Sequence, residues 1–520
     1  MAQDKAQKAV PTSTRRHYSL SAVSRSLRHF LVGKTFAMVC AFAVLFLLAG
    51  ILEPGEYAVY VSLQALVILI GRVSGLGVQK AMLRYLPELR ATENSLGAYR
   101  LLWQGTLLRF ILIGLVMLGA ALFLPALGRT FGLDAWLWLI PWYLLVGYLR
   151  LMNHWIASML ESFLWQREAQ YSIALGGLVK LVGVLLFASQ LDLTIVVIIE
   201  FTSEAIVLLL LGYSWATRWR KDPARLTGTR TWWQENRGRA LRFGFWGFLQ
   251  NQSGLLYGSA PNRLVAAHFL PSAEVALFGL ADNLINQVRR FMPTQLFISI
   301  IRPVALARFS TTQDFSKVSW IANLAYRLNL SLLVLGIALM VTVGEPLFAW
   351  LTDGKYPSAA WLVAGLLILM ATEGMRTMVE LMAQAVERNQ MLFLSNLIQS
   401  ASLLLAIPLV QWIGLWGLVV ANIVGTVLAN LVMIVHLRHG GYAFNMNLGR
   451  VAMIITYGIL STLLGWWLAT AGVHFLLTGT AITALYAILC LWKPPLESDE
   501  RELILKLVKQ RIPATKTAEG

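Results

Sequence analysis

Two cysteines in 520 residues, Cys40 and Cys490, leave little material for redox or metal chemistry. They lie in the first and last apolar segments, with no CxxC and no histidine at ligand spacing, which excludes a disulfide framework and a zinc site. Charge is also scarce: Asp, Glu, Lys and Arg make up 13% of the chain, against about a quarter in ordinary globular domains. A soluble core is thereby excluded. A P-loop nucleotide site is excluded by the lack of any GxxxxGKS/T run.

What is present is apolar residues, 57% of the chain, with a mean hydropathy of +0.64. Apolar runs recur from Phe30 to Trp492, each long enough, at about 20 residues, to cross about 30 Å of hydrocarbon as a helix. The fold class is all-α, a polytopic membrane protein. Its spans are predicted at about 30–52, 57–85, 101–124, 134–160, 171–190, 193–215, 243–269, 275–303, 321–343, 359–383, 391–411, 413–436, 451–470 and 474–492, about fourteen in all. Residues 1–29 are polar and basic (Lys5, Lys8, Arg15, Arg16, Arg25, Arg28), and the first apolar run is too long for a signal-peptide core, so it reads as a retained signal anchor.

Sidedness follows from Lys and Arg. With the N-terminus cytoplasmic, the outward turns contain Arg129 and Lys355, whereas the inward turns hold Arg90, Arg100, Arg167, Arg308, Lys317, Arg388, Arg438, Arg450 and a dense cluster from Arg218 to Arg242. The positive-inside rule then predicts both termini cytoplasmic. Topology and attraction to anionic inner-leaflet lipid account for much of the +17 formal charge, so no nucleic-acid partner is expected.

The second span opens on "EYAVY" (Glu56 to Tyr60) and the eighth on "EVALF" (Glu274 to Phe278), after the turns "LEPG" and "LPSA". This echo suggests two six-helix halves of like orientation, 30–215 and 243–436, joined by a basic cytoplasmic linker at 216–242. A cytoplasmic loop (437–450), an extra helix pair (451–492) and a cytoplasmic tail (493–520) complete the chain. In the tail, "ESDERELILKLVKQRI" reads either as an amphipathic helix on the membrane surface or as a solvated tail.

Ionisable residues interrupt the apolar segments. In the eighth span Asn283, Gln287, Arg290 and Thr294 recur at helical spacing, with Asp282, Asn286 and Arg289 beside them. The tenth carries Glu373, Arg376, Thr377, Glu380 and Gln384, with acids at i−3 and i+4 of Arg376, which allows that arginine to hold both glutamates as a structural triad. The second carries Arg72, Lys80 and Arg84, the seventh Gln250, Asn251, Gln252 and Arg263, the sixth Glu200 and Glu204, and the twelfth Asn422, Thr426 and Asn430. Snorkelling explains Arg263 equally well, interface anchoring suits Arg84, and the amides also fit interhelical hydrogen bonds. The simplest common reading is a water-filled, net-positive cavity between two bundles, drawing in an anionic cargo through Arg263, Arg289, Arg290, Arg72, Lys80 and Arg84, with Asn283, Asn286, Gln287 and Asn251 as polar lining. The guanidinium fork suits phosphate oxygens.

The stretches "LEPGEYAVYVSLQALVILIGRVSGLGVQKAMLRYLPE" (Leu52 to Glu88) and "NRLVAAHFLPSAEVALFGLADNL" (Asn262 to Leu284) resemble the polysaccharide-transporter branch of the multidrug/oligosaccharidyl-lipid/polysaccharide (MOP) exporter superfamily, the Wzx-like flippases. Glu53-Pro54 stands where the family turn more usually has Gly-Pro, and position by position the resemblance reaches Arg84, Glu88 and Arg263. It implies a V-shaped, MATE-like pair of six-helix bundles with two extra C-terminal helices. It also implies export of undecaprenyl-pyrophosphate-linked oligosaccharide across the bacterial inner membrane, working with polysaccharide polymerase or ligase machinery.

Three other readings compete. A membrane ligase or polymerase needs positioned acid/base groups on a sizeable outer loop, but the longest, "GEPLFAWLTDGKYPSA", offers Asp353 without a histidine or second carboxylate in its segment. A drug/cation antiporter of the same superfamily typically has twelve spans and an acid-dominated cavity. A lipid II flippase shares fourteen spans and a pyrophosphate cargo; "MLRYLPE" favours the polysaccharide branch. No cofactor is expected. With no nucleotide site, an H+ or Na+ gradient is the remaining drive, with Asp282, Glu373, Glu380 and, behind them, Glu204 as coupling candidates.

Overall fold

A computed structural model describes residues 20–91, 94–163, 165–222, 227–229, 231–252, 258–290, 292, 315–386, 389–442, 446–496 and 500. The tail 501–520, most of the N-terminal basic segment and Thr294 lie outside the described residues, as do the side chains of Glu88, Gln250, Asn251 and Gln384. All regular elements among the described residues are helices, and eleven are long and apolar enough to cross a membrane. This is a multi-pass membrane protein.

The chain divides into two units, 1–280 with 410–415, and 281–409 with 416–520. Unit 1 contains α1 (Leu20–Ile51), α2 (Pro54–Val73), α3 (Val78–Ala91), α4 (Ser95–Leu122), α5 (Leu124–Phe131), α6 (Ile140–Ser162), α7 (Gln166–Leu186), α8 (Leu193–Lys221), α9 (Trp232–Gln252) and α10 (Ser259–Phe269). It ends within α11 (Ser272–Arg289). Unit 2 continues with α12 (Phe315–Leu351), α13 (Ala359–Ala385), α14 (Asn389–Ser400), α15 (Ser402–Ile413), α16 (Leu415–His439), α17 (Leu448–Thr470) and α18 (Phe475–Trp492).

The helix ends have local causes. Pro54 sits in the first turn of α2, where its missing N–H costs nothing. Asn94, Asp192 and Asn447 cap α4, α8 and α17 by accepting from the backbone N–H three residues on, at 2.9, 2.7 and 3.3 Å. Helix α8 runs on to Lys221 and α9 begins at Trp232, so helix occupies much of the segment expected to be a linker.

The predicted second span, 57–85, is a correction. Helix stops at Val73 and restarts at Val78, with Leu76 and Gly77 at φ +37° and +71°. Gly77 is required twice over: its φ is left-handed, and a Cβ there would stand 1.8 Å from the Gly244 carbonyl oxygen of α9. The 20 residues of α2 make about 30 Å of helix, the full hydrocarbon thickness. One crossing is therefore complete within α2, and the more polar α3 follows the break. The predicted eleventh span, 391–411, stands as one stretch long and apolar enough to cross, Met391–Ile413, with a one-residue interruption at Ala401 between α14 and α15.

In unit 2, α12 packs against α13, α17 and α18. Its 37 residues make about 55 Å of helix, well beyond one hydrocarbon thickness. The chain after α18 folds back as a strap: Tyr457 donates to the Lys493 carbonyl at 2.8 Å, Arg450 to that of Pro494 at 3.3 Å, and Arg327 to that of Pro495 at 3.0 Å. Arg327 also pairs with the fully buried Glu500. Two prolines leave no N–H to be orphaned under this strap, and the extra helix pair is thereby tied to α12.

Candidate functional site

Unit 1 holds a buried charge network that helix periodicity alone did not reveal. Glu200 on α8 is fully buried and accepts from Tyr60 Oη of α2 at 2.6 Å, from Arg150 Nη2 of α6 at 2.8 Å and from Lys180 Nζ of α7. Lys180 also reaches Tyr60 Oη at 3.1 Å. One turn along α8, Glu204 accepts from Arg150 Nε at 2.8 Å and from Asn153 Nδ2 at 2.9 Å. The buried Tyr143 stands edge-on to Tyr60, with ring centroids 6.3 Å apart. Two carboxylates meet two cations, so the network is neutral as a set. Such mutual pairing is what allows charges to persist away from water. Glu204, a coupling candidate, is held inside this set. Arg150, Lys180 and Tyr60 escaped the sequence reading because their partners lie 50, 20 and 140 residues away. A balance of acids against bases over the fourth to sixth spans carries the signal.

The cations expected to serve an anionic cargo divide between the units. In unit 1, Arg263 on α10 is 1% exposed and donates to Gln64 Oε1 of α2 at 3.3 Å. Burial of that depth replaces snorkelling as its explanation. Arg72 ends α2 half-buried, Lys80 is half-buried in the first turn of α3 with its stem against Gly247, and Arg84 is exposed.

The break between Arg72 and Lys80 is stitched from outside. Arg109 of α4, itself buried, donates to the Ser74 carbonyl at 2.5 Å and to that of Gly71 at 3.3 Å. Gln252 donates to the Arg72 carbonyl at 3.3 Å. These are carbonyls at the end of α2, where intrahelical donors run short; that of Gly71 also accepts from Ser74 Oγ at 3.3 Å and that of Arg72 from the Gly75 N–H at 3.2 Å.

In unit 2, Arg289 pairs with Glu373 Oε2 at 2.7 Å, while Arg290 is exposed. The proposed triad is corrected here: Arg376 keeps Glu380 at 2.9 Å, and its other nitrogens go to Gln399 and Asn396 of α14, not to Glu373. A guanidinium fork takes several planar acceptors at once, and two amide oxygens plus one carboxylate fill it. Gln399 passes the network on to Thr426 of α16 at 3.0 Å, and Asn430 donates to the Thr372 carbonyl at 3.0 Å. Asp282 is buried and accepts from Asn286 at 3.2 Å; Asn283 and Gln287 are half-buried beside it. Among the described residues no group of three or more His, Cys, Asp or Glu could hold a metal ion, and both cysteines are free thiols.

The fold has solved counterparts. The lipid II flippase MurJ in an inward closed conformation superposes with a TM-score of 0.64 at 12% identity, covering 91% of this chain and 99% of that one. An inward-facing multidrug-resistance transporter of the MATE family within the MOP superfamily gives 0.54 at 16% identity, over 78% of this chain and 94% of its own. A multidrug-resistance transporter of the MATE family in an outward-facing conformation gives 0.50 at 16%, over 81% of this chain and 95% of its own. No family model matches the chain, and no curated protein matches it in sequence. The fold is thus MATE/MurJ-like. At these identities the likeness speaks for the fold.

Proposed function

We propose that the chain is a flippase that carries an anionic, undecaprenyl-pyrophosphate-linked oligosaccharide across the bacterial inner membrane by alternating access, for O-antigen, capsule or exopolysaccharide synthesis. The observation that carries this reading is the extent of the fold: it covers 91% of this chain against the lipid II flippase, and 78% and 81% against the inward- and outward-facing MATE-family structures. The buried Arg263 and the half-buried Arg72 and Lys80 supply the charge sign that a pyrophosphate needs. Both termini face the cytoplasm in this scheme, and the product passes to polymerase or ligase machinery outside.

Deletion of the gene in its host tests the cargo. A polysaccharide repeat unit on undecaprenyl pyrophosphate is expected to accumulate on the cytoplasmic leaflet, with surface polymer lost and growth maintained. Accumulation of the lipid-linked peptidoglycan precursor instead, with arrested wall growth, would favour the lipid II reading, which the MurJ-like fold keeps as the second one.

The drive is assigned to an H+ or Na+ gradient acting at Asp282. Asp282 is buried on α11 and accepts from Asn286, and the nearest cation of its own helix, Arg289, stands about two turns further on. Asp282→Asn is expected to weaken the pH or sodium dependence of flipping in proteoliposomes several-fold more than Glu373→Gln does. Gradient dependence left intact by Asp282→Asn would move the coupling site elsewhere.

A further inference from the structure

The break at 74–77 lies between two cations expected to meet the cargo, and among the side chains that hold it, Ser74, Gln252 and Arg109, only Arg109 is charged. Arg109 is 5% exposed on α4 and spends its guanidinium on the carbonyls of Ser74 and Gly71. Burying a guanidinium to satisfy two backbone oxygens is a costly way to end a helix, since a polar but neutral donor would do. The fork, however, supplies two N–H groups in one plane and so fixes the two carbonyls relative to each other.

The segment beyond the break is seated with equal care. Met82 of α3 enters the space left by Gly105, one turn from Arg109 on the same helix, where a Cβ would lie 2.6 Å from its Cε. Gln79 donates to Ser158 of α6 at 3.2 Å, and Tyr85 packs edge-on to Phe243 of α9, with ring centroids 5.8 Å apart. Arg72 belongs to the last turn of α2 and Lys80 to the first turn of α3. Their separation is therefore set by the geometry of Ser74 to Gly77, which Arg109 holds from α4 beside the local bonds of Ser74 Oγ to the Gly71 carbonyl and of the Gly75 N–H to the Arg72 carbonyl, and the reach of Gln252 to the latter.

We propose that Arg109 is a positioning residue: it pins the α2–α3 break so that Arg72 and Lys80 present a fixed two-cation spacing to the diphosphate of the cargo. This rests on the flippase reading for its cargo, but the pin itself is a statement about the break. Two cations at a set spacing recognise a diphosphate better than either alone, because the entropy of arranging them is spent during folding and not during binding. Lysine at 109 keeps the charge and loses the planar fork, so it separates pinning from electrostatics.

The test uses the full-length protein with Cys40 and Cys490 changed to serine. A Gln79→Cys, Ser158→Cys pair reads the seating of α3 by the yield of disulfide formed with a mild oxidant. Arg109→Lys is expected to lower that yield at least threefold at unchanged protein level. With the native Gln79 and Ser158, the same change is expected to raise the half-saturating concentration of undecaprenyl-pyrophosphate-linked oligosaccharide about tenfold, with the maximal flipping rate kept within about twofold. Arg109→Met should go further in both readouts, and if it fails to accumulate, the lysine variant decides. An unchanged cross-linking yield in Arg109→Lys overturns the pin. A lowered yield with half-saturation unchanged overturns the positioning role. If the unmodified protein moves no lipid-linked saccharide, the flippase reading fails by itself and the cross-linking arm alone decides the pin.

Discussion

Glu200→Ala is expected to destabilise unit 1 by about 3–5 kcal/mol, the usual cost of leaving buried charges without their partner. Glu200 is fully buried and receives three donors from three different helices, Tyr60, Arg150 and Lys180. Without it, Arg150 retains only Glu204 among the carboxylates it contacts, and Lys180 loses the carboxylate it contacts. The change should appear as a fall of roughly 10 °C in the melting temperature of detergent-solubilised protein and as a lower level in the membrane. Glu200→Gln should cost less than alanine, since an amide still accepts from Tyr60. Adding Lys180→Met to Glu200→Gln should recover part of that loss, because one carboxylate charge and one cation then leave together. A double-mutant cycle measures the coupling between the two sites. A melting temperature unchanged in Glu200→Ala would mean that the network does not hold α2, α6, α7 and α8 together, and that its charges are solvated in the membrane-embedded protein.

That network also marks the boundary of what the sequence discloses. Apolar run length is a one-dimensional signal, and it places the last two helices within a few residues: 451–470 against Leu448–Thr470, and 474–492 against Phe475–Trp492. The same signal runs straight through "GRVSGLGVQ", because the two glycines that break α2 from α3 do not lower its hydropathy enough to show. Only the approach of Gly244 and the reach of Arg109, 35 residues on, make the break a built feature. Side-chain pairing has the same limit. Helical periodicity sees Arg376 with Glu380 at i+4 and gets that pair right, but assigns Glu373 to the same arginine, whereas the nearer cation in space is Arg289 on another helix. Within a bilayer, the requirement that each buried charge find a partner operates between helices. The sequence therefore shows which charges must pair and leaves the partner open.

Arg263 is where the proposed cargo and the fold make the sharpest joint demand. It is 1% exposed and donates to Gln64 of α2. Alanine there would remove the charge and leave an arginine-sized space between α10 and α2, so loss of export by that variant alone would not separate recognition from packing. Methionine fills much of the space without the charge, and lysine keeps the charge without the fork. Arg263→Met is expected to reduce polymer export at least tenfold, and Arg263→Lys to retain about a third of it, with both proteins at similar levels in the membrane. A tenfold loss corresponds to about 1.4 kcal/mol, just below the roughly 1.5–3 kcal/mol of one hydrogen bond to a charged group, as partial compensation by neighbouring groups would give. Equal export by the lysine and methionine variants would show that the charge at 263 is not read by the cargo and that Arg263 serves the packing of α10 on α2, leaving Arg72 and Lys80 as the cations to test next.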